Sequence, residues 1–307
     1  MFDPKAVKKI DIHAHALAFP EYAPFYKPGD PTSQWICAED LIEMYDRLGI
    51  ETGVLLPIVS AEGQLTPITT EMTKYLVDKY PDRFEWFCGV DPRAFPNSPD
   101  SDLVSLINHY KALGAKGVGE ITTPLNIDDP RMYNLFAACA KCDMPAIIHI
   151  NFTLDKLYGM YDDLGLPRIE KLLADMPDLK LIGHSTVFWT EISGDVTEAS
   201  RGQYPKTPVT EGGRIVELMR KYPNLYCDIS AGSGHGAMMR DPDFTARFIE
   251  EFSDRILYGC DICFATNQHP FPFVDFLEKM VLDGNISEEN YRKLVRENAI
   301  RILKLDK

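Results

Sequence analysis

Lys9-Ile10-Asp11-Ile12-His13-Ala14-His15 is a short apolar, β-branched run that closes on two histidines two residues apart. Side chains alternate faces along a strand, so His13 and His15 are expected to point the same way. Two imidazoles side by side at a strand end can bind one metal ion, and they can equally be solvated or hydrogen-bonded histidines. The rest of the chain decides between these by what stands at the ends of its other strands.

Further strand-like runs end near Pro57, Val90, Glu120, Ile150, His184, Ile229 and Asp261, and helical patterns lie between them at about 38–48, 69–79, 101–113, 131–142, 166–175, 211–220 and 244–252. Ser101 or Asp102 before one helix and Asp241-Pro242 before another are N-terminal signals, and Pro81, Pro145, Pro177 and Pro223 mark returns into strands. Strand alternating with helix means a parallel sheet. Repeated eight times in one chain, it predicts an α/β fold of the distorted (β/α)8 TIM-barrel type, with residues 1–307 as one domain. A doubly wound open sheet is the runner-up, but no glycine-rich phosphate loop follows the first strand. Two long loops, 17–37 and 185–210, are expected at the mouth, and 287–305 reads as a closing pair of amphipathic helices.

Composition is that of an ordinary globular chain, 45% hydrophobic and 25% charged. The net charge of -14 disfavours a nucleic-acid partner. No apolar run is long enough to span a membrane, and Met1-Phe2-Asp3-Pro4-Lys5 lacks the apolar core of a signal peptide, so no membrane partner and a cytoplasmic location are expected. The seven cysteines, two pairs of them spaced C-x-x-C, argue neither for a disulfide framework nor for a four-cysteine zinc site, because Cys139 and Cys142 fall in a helical segment.

Ligand-type residues close several runs: Glu120 after Val118-Gly119, His149 after Ile147-Ile148, His184 after Ile182-Gly183, and Asp261 after Gly259-Cys260. A parallel barrel brings all its strand ends to one mouth. Taken singly, each residue has an ordinary explanation, such as a core histidine, an ion-paired glutamate or a turn-capping aspartate. Together, four histidines and two carboxylates in one desolvated place demand a cation or extensive hydrogen bonding.

These pieces, with Glu297-Asn298-Ala299-Ile300-Arg301-Ile302-Leu303-Lys304-Leu305 at the end of the chain, resemble the amidohydrolase superfamily, especially the branch that holds aminocarboxymuconate-semialdehyde decarboxylase and related lactonases. The resemblance implies one or two divalent metals, usually Zn2+, with Mn2+ or another divalent ion as the alternative. It implies His13, His15 and His149 as ligands, His184 as a second-metal ligand or a catalytic group for substrate, and Asp261 as a ligand and catalytic proton shuttle. Glu120 departs from that branch and is closer to the bridging glutamate of the TatD-like nucleases, whose glycine-leucine-aspartate continuation is here replaced by Thr122-Thr123-Pro124-Leu125. Many such barrels associate, which leaves a homo-oligomer open.

The expected chemistry is attack by metal-activated water on a small, carboxylate-bearing ester, lactone or amide, with Asp261 moving the proton. Non-oxidative decarboxylation of a small unsaturated or aromatic acid is the alternative, and a two-metal site bridged by Glu120 would favour hydrolysis. The partner expected in either case is a small-molecule substrate. Candidate substrate-binding residues are His235 in the glycine-rich stretch 230–236, Arg201 and Trp189 in the long sixth loop, and Asn151 just past His149. Arg201 is singled out because a guanidinium suits a substrate carboxylate. Phe19, Tyr22, Phe25, Tyr26 and Trp35 either roof a pocket or pack the first loop.

Overall fold

The computed structural model describes residues 2–27, 29–155 and 159–307. Its parallel strands are β1 (Lys9–Ala14), β2 (Ile50–Leu55), β3 (Phe84–Trp86), β4 (Val118–Ile121), β5 (Ala146–Asn151), β6 (Met160–Tyr161), β7 (Leu181–His184), β8 (Leu225–Asp228) and β9 (Ile256–Leu257). Hydrogen-bonded neighbours run β1-β2-β3 and β4-β5-β7-β8-β9, with the two-residue β6 appended to β5. The two arcs join through Cys88↔Val118 on one side and Ala14↔Ile262 on the other, and Ile12 N–H donates to Tyr258 O while Asp261 N–H donates to His13 O. The ring so closed, wrapped by helices, is the distorted (β/α)8 barrel that the alternation of runs predicts.

The helices are α1 (Ala38–Leu48), α2 (Thr70–Lys79), α3 (Leu103–Ala112), α4 (Pro130–Lys141), α5 (Pro167–Asp175), α6 (Thr186–Thr190), α7 (Arg214–Lys221), α8 (Ala231–Met239), α9 (Pro242–Phe252), α10 (Pro270–Leu282), α11 (Glu288–Arg292) and α12 (Asn298–Leu303). Their ends follow local chemistry. Asp102, Asp129 and Asp241 accept backbone N–H groups at the starts of α3, α4 and α9. Gly49, in the left-handed region at φ 70°, ends α1. Three helices escape the sequence reading. Of these, α6 and α8 lie in stretches taken as loops, and α10 lies where no element was expected.

Ile10, Ile12, Val54, Leu56, Phe87, Ile147, Ile182 and Leu257 fill the barrel, and Ala299, Ile302, Leu303 and Leu305 plug it from below. A larger apolar layer lies between the strands and the outer helices. Above the interior plug, the mouth is polar.

Candidate metal centre

The pairing of β1 with β2 slips between Asp11 and Ala14. Ile10 and Ile12 pack inside the barrel, while Asp11 reaches out to the Tyr45 hydroxyl of α1, 2.6 Å away. Plain alternation would send His13 outward with Asp11. The bulge re-aims it inward, and His13 Nε2 comes within 3.1 Å of His15 Nε2. His149 and His184 face each other as register partners on β5 and β7.

Glu120 and Asp261 complete the cluster. Glu120 Oε2 lies 3.5 Å from His15 Nε2 and 3.7 Å from His13 Nε2, and its Oε1 lies 3.8 Å from His184 Nε2. Asp261 Oδ1 lies 3.6 and 3.5 Å from the same two nitrogens of His13 and His15, and its Oδ2 is 3.7 Å from His184 Nε2. Asp261 holds φ at 52°, the left-handed region that non-glycine residues seldom occupy. Its side chain is 17% exposed and that of His149 19%, against 0–4% for His13, His15, His184 and Glu120, so solvent meets the cluster at Asp261 and at His149.

The other ring nitrogens are already engaged. His13 donates from Nδ1 to Asp228 Oδ2 at 2.7 Å, and His184 Nδ1 faces the same oxygen at 3.0 Å. Ser230 donates its hydroxyl to that oxygen at 2.6 Å. His15 donates from Nδ1 to Leu56 O at 2.8 Å. Each bond fixes a tautomer and leaves the Nε2 lone pair facing the shared space. Gly259 permits the arrangement: a Cβ there would sit 2.4 Å from Asp228 Oδ1 and 2.8 Å from Ser230 Cβ.

The charges answer one another. Burial pushes Glu120 up, but the His149, His13 and His15 imidazoles outweigh it and hold the carboxyl well below its usual range. Burial likewise opposes ionisation of Asp261, and His13, His15 and His184 override it. Asp228 is held low by His13 and His184 against the same burial. In return, although burial disfavours the imidazolium, Asp261 and Asp228 raise His13 far above its ordinary value, and bonds to Asp261 and Glu120 lift His15 to about 9. Glu120, Asp228 and Asp261 thus draw positive charge to this place, as ring protons on His13 and His15 or as a cation that takes over their Nε2 lone pairs.

A divalent cation fits this donor set. Two trios, His13/Glu120/His184 and His13/His15/Asp261, each offer ligand atoms within 4.8 Å of one another. Imidazole and carboxylate donors suit zinc or manganese, and bonds of about 2.0–2.1 Å imply ligands roughly 3.0–3.5 Å apart. His149 is in neither trio; its Nδ1 lies 2.7 Å from Glu120 Oε1, a member of one of them.

The proposed substrate-contacting residues are placed differently from expectation. Arg201 is buried and held by Glu191 at 3.2 Å, and it donates to the carbonyls of Asp162 and Asp163, both at 3.1 Å. The structure thus holds Arg201 by partners inside the protein, where the sequence suggests a guanidinium turned toward a substrate carboxylate. His235 lies on α8, not in a loop; it is buried, stacked on Phe273 at 4.0 Å, and donates from Nε2 to Gly259 O at 3.0 Å. Trp189 is buried and donates its indole N–H to Asp228 O at 3.0 Å, which places it behind the centre as a support for that strand end. Asn151 accepts the N–H of Phe152 at 2.9 Å beside His149. Of the first-loop aromatics, Trp35 stands edge-on to His15, with ring centroids 5.2 Å apart, and Phe19 packs on Tyr75.

Asp228, Ser230 and Cys263 escape the sequence reading. Cys263 Sγ donates to Asp261 Oδ1 at 3.3 Å. Asp228 carried a usable signal, a carboxylate closing the run Leu225-Tyr226-Cys227-Asp228 just as Asp261 closes its own.

The sequence profile described as amidohydrolase matches residues 10–305. A comparison with curated proteins returns no match. Among solved structures, an uncharacterised TIM-barrel protein from Bordetella bronchiseptica is 20% identical with a TM-score of 0.64, over 97% of this chain and 98% of that one. A probable 2-pyrone-4,6-dicarboxylic acid hydrolase from Acinetobacter baumannii, with citric acid bound, is 11% identical with a TM-score of 0.58, over 97% and 100%. A dihydroxybenzoic acid decarboxylase from a Polaromonas species, with bound manganese and the inhibitor 2-nitroresorcinol, is 18% identical with a TM-score of 0.58, over 98% of each chain. At these identities the likeness is one of fold.

Proposed function

Because the chain belongs to the amidohydrolase family, its profile matching residues 10–305, we propose that it is a metal-dependent hydrolase acting on a small ester, lactone or amide. The observation that carries this reading is the convergence of His13, His15, His184, Glu120 and Asp261 on one space, with Asp261 on its solvent side. Those five residues would hold the ion, zinc first and manganese second, with His149 bracing Glu120 or joining a second ion. When bound, a divalent ion supplies Lewis acidity toward a carbonyl and lowers the pKa of water.

The chain's own residues do the rest. Asp261 is kept ionised by the three imidazoles around it, so its carboxylate can take the proton of the attacking water and return it to the leaving group. Cys263 and the His13 carbonyl hold that carboxylate and its backbone in place. Asp228 and Leu56 O orient the histidines. General acid–base assistance of this kind contributes about 10²–10⁴ in rate. Asp261→Asn is therefore expected to lose at least about 10²-fold in turnover while still folding, and near-wild-type turnover would refute the shuttle.

Decarboxylation of a small unsaturated or aromatic acid is the second reading. It is favoured by the overlap of the two ligand trios at His13 and by decarboxylases among the proteins of like fold. Metal content per chain by mass spectrometry, with lactones and aromatic acids offered side by side, separates the two. Release of ring-opened acid supports the first reading, and release of carbon dioxide overturns it.

A further inference from the structure

Asp261 closes the segment Tyr258-Gly259-Cys260-Asp261, which leaves β9 and enters the metal centre. Its φ of 52° is a conformation that a non-glycine residue keeps only where the surroundings over-determine it. Here two successive peptide planes are each pinned at both ends. In the first, Cys260 N–H donates to Asp11 Oδ1 at 2.8 Å, and Gly259 O accepts from His235 Nε2 at 3.0 Å. In the second, Asp261 N–H donates to His13 O at 2.8 Å, and Cys260 O accepts from His269 Nε2 at 2.8 Å and from Ala231 N–H at 3.2 Å. So β1 grips the amides from one side, and two histidines grip the carbonyls from the other.

These histidines belong to neither ligand trio. They arrive on separate elements: His235 lies within α8, and His269 directly precedes α10. Their ring centroids are 5.2 Å apart, and Phe273, in the first turn of α10, stacks on His235 at 4.0 Å. A carbonyl oxygen only accepts, so both rings carry hydrogen on Nε2. Burial, with His269 beside it, pushes His235 down to about 3, so that ring stays neutral. The plane that His269 and His13 pin is the one from which the Asp261 Cα hangs. Its orientation sets where the carboxylate falls, with Oδ1 toward His13 and His15 and Oδ2 toward His184.

We propose that His235 and His269 are positioning residues that aim the Asp261 carboxylate, by holding the carbonyls of the two peptide planes that precede it. This role rests on the reading of Asp261 as a metal ligand and proton shuttle.

The test is the zinc affinity of the full chain, by competition with a chromogenic chelator, read beside its melting temperature without metal. His235→Leu and His269→Leu are each expected to weaken zinc binding by about 10-fold or more. His235→Gln and His269→Gln keep an N–H donor and are expected to keep most of the affinity. In an Asp261→Ala chain, itself weakened, His269→Leu is expected to cost nothing further, because it acts through that carboxylate. Should His235→Leu fail to fold, His269→Leu, at a half-buried position, carries the test. A lower melting temperature with wild-type affinity in the Leu variants, or a full additional loss in the Asp261→Ala background, overturns the proposal. Wild-type affinity in Asp261→Ala overturns instead the ligand set on which it rests.

Discussion

A buried imidazole takes its tautomer from the partner offered to one of its nitrogens, and in this barrel those partners are as specific as the histidines themselves. Asp228 Oδ2 receives His13, faces His184 and takes the Ser230 hydroxyl, and no exposed surface is left on it. Asp228→Asn replaces an acceptor with an amide whose N–H₂ would face ring nitrogens that need an acceptor. Removing such a support typically weakens metal binding 10–100-fold. That is the outcome expected from competition titration with a chromogenic chelator, and unchanged affinity would show that Asp228 is spectator chemistry. The strand-end ligands were legible because histidine and carboxylate after an apolar run are costly to bury without a reason. Asp228 gives the same signal but is easily passed over, since its run reads as ending near Ile229, one residue beyond it. Arg201 misled for the opposite reason: an arginine in a long polar loop looks free, and only the fold delivers Glu191 and two carbonyls to it.

Among the elements, α8 shows where local preference loses to packing. Ala231-Gly232-Ser233-Gly234-His235-Gly236 is poor helix-forming sequence, yet it is helical because Gly234 lets the segment press against Ile229 and Trp189, where a Cβ would come within 2.7 and 3.0 Å. The β1 bulge is likewise invisible to a period of two, although it decides that His13 turns inward. His235, carried into the interior by α8, pairs with no carboxylate among the described residues. Burial, helped by the His269 ring, drives its pKa down to about 3, against about 6.5 when unfolded. The unfolded chain therefore takes up a proton that the folded one refuses, and stability is lost as pH falls from about 6.5 toward 3. In His235→Gln, urea unfolding from pH 6 to 4 is expected to lose about one proton from that slope, or ~1.4 kcal/mol per pH unit. An unchanged slope would place the acid sensitivity elsewhere.

At the scale of the molecule, the C-terminal segment completes the barrel. Asn298 donates from Nδ2 to Ser253 O at 2.6 Å and to Ile256 O at 2.8 Å, while Ala299, Ile302 and Leu303 seal the interior. Asn298→Ala would leave two carbonyls without donors, an expected loss of about 2–4 kcal/mol by urea denaturation; a loss below ~0.5 kcal/mol would mean that water replaces the amide without cost. The ends of the chain also meet at the centre. His13 near the start depends on Asp228, 215 residues later, and on Gly259 making room beside it. A chain growing from its N-terminus carries the first histidines long before the carboxylates that orient and surround them. Firm ion capture thus draws on the last third of the chain: a product that stops before Asp228 has the His13/Glu120/His184 trio but lacks both the carboxylate that orients His13 and the Asp261 of the other trio.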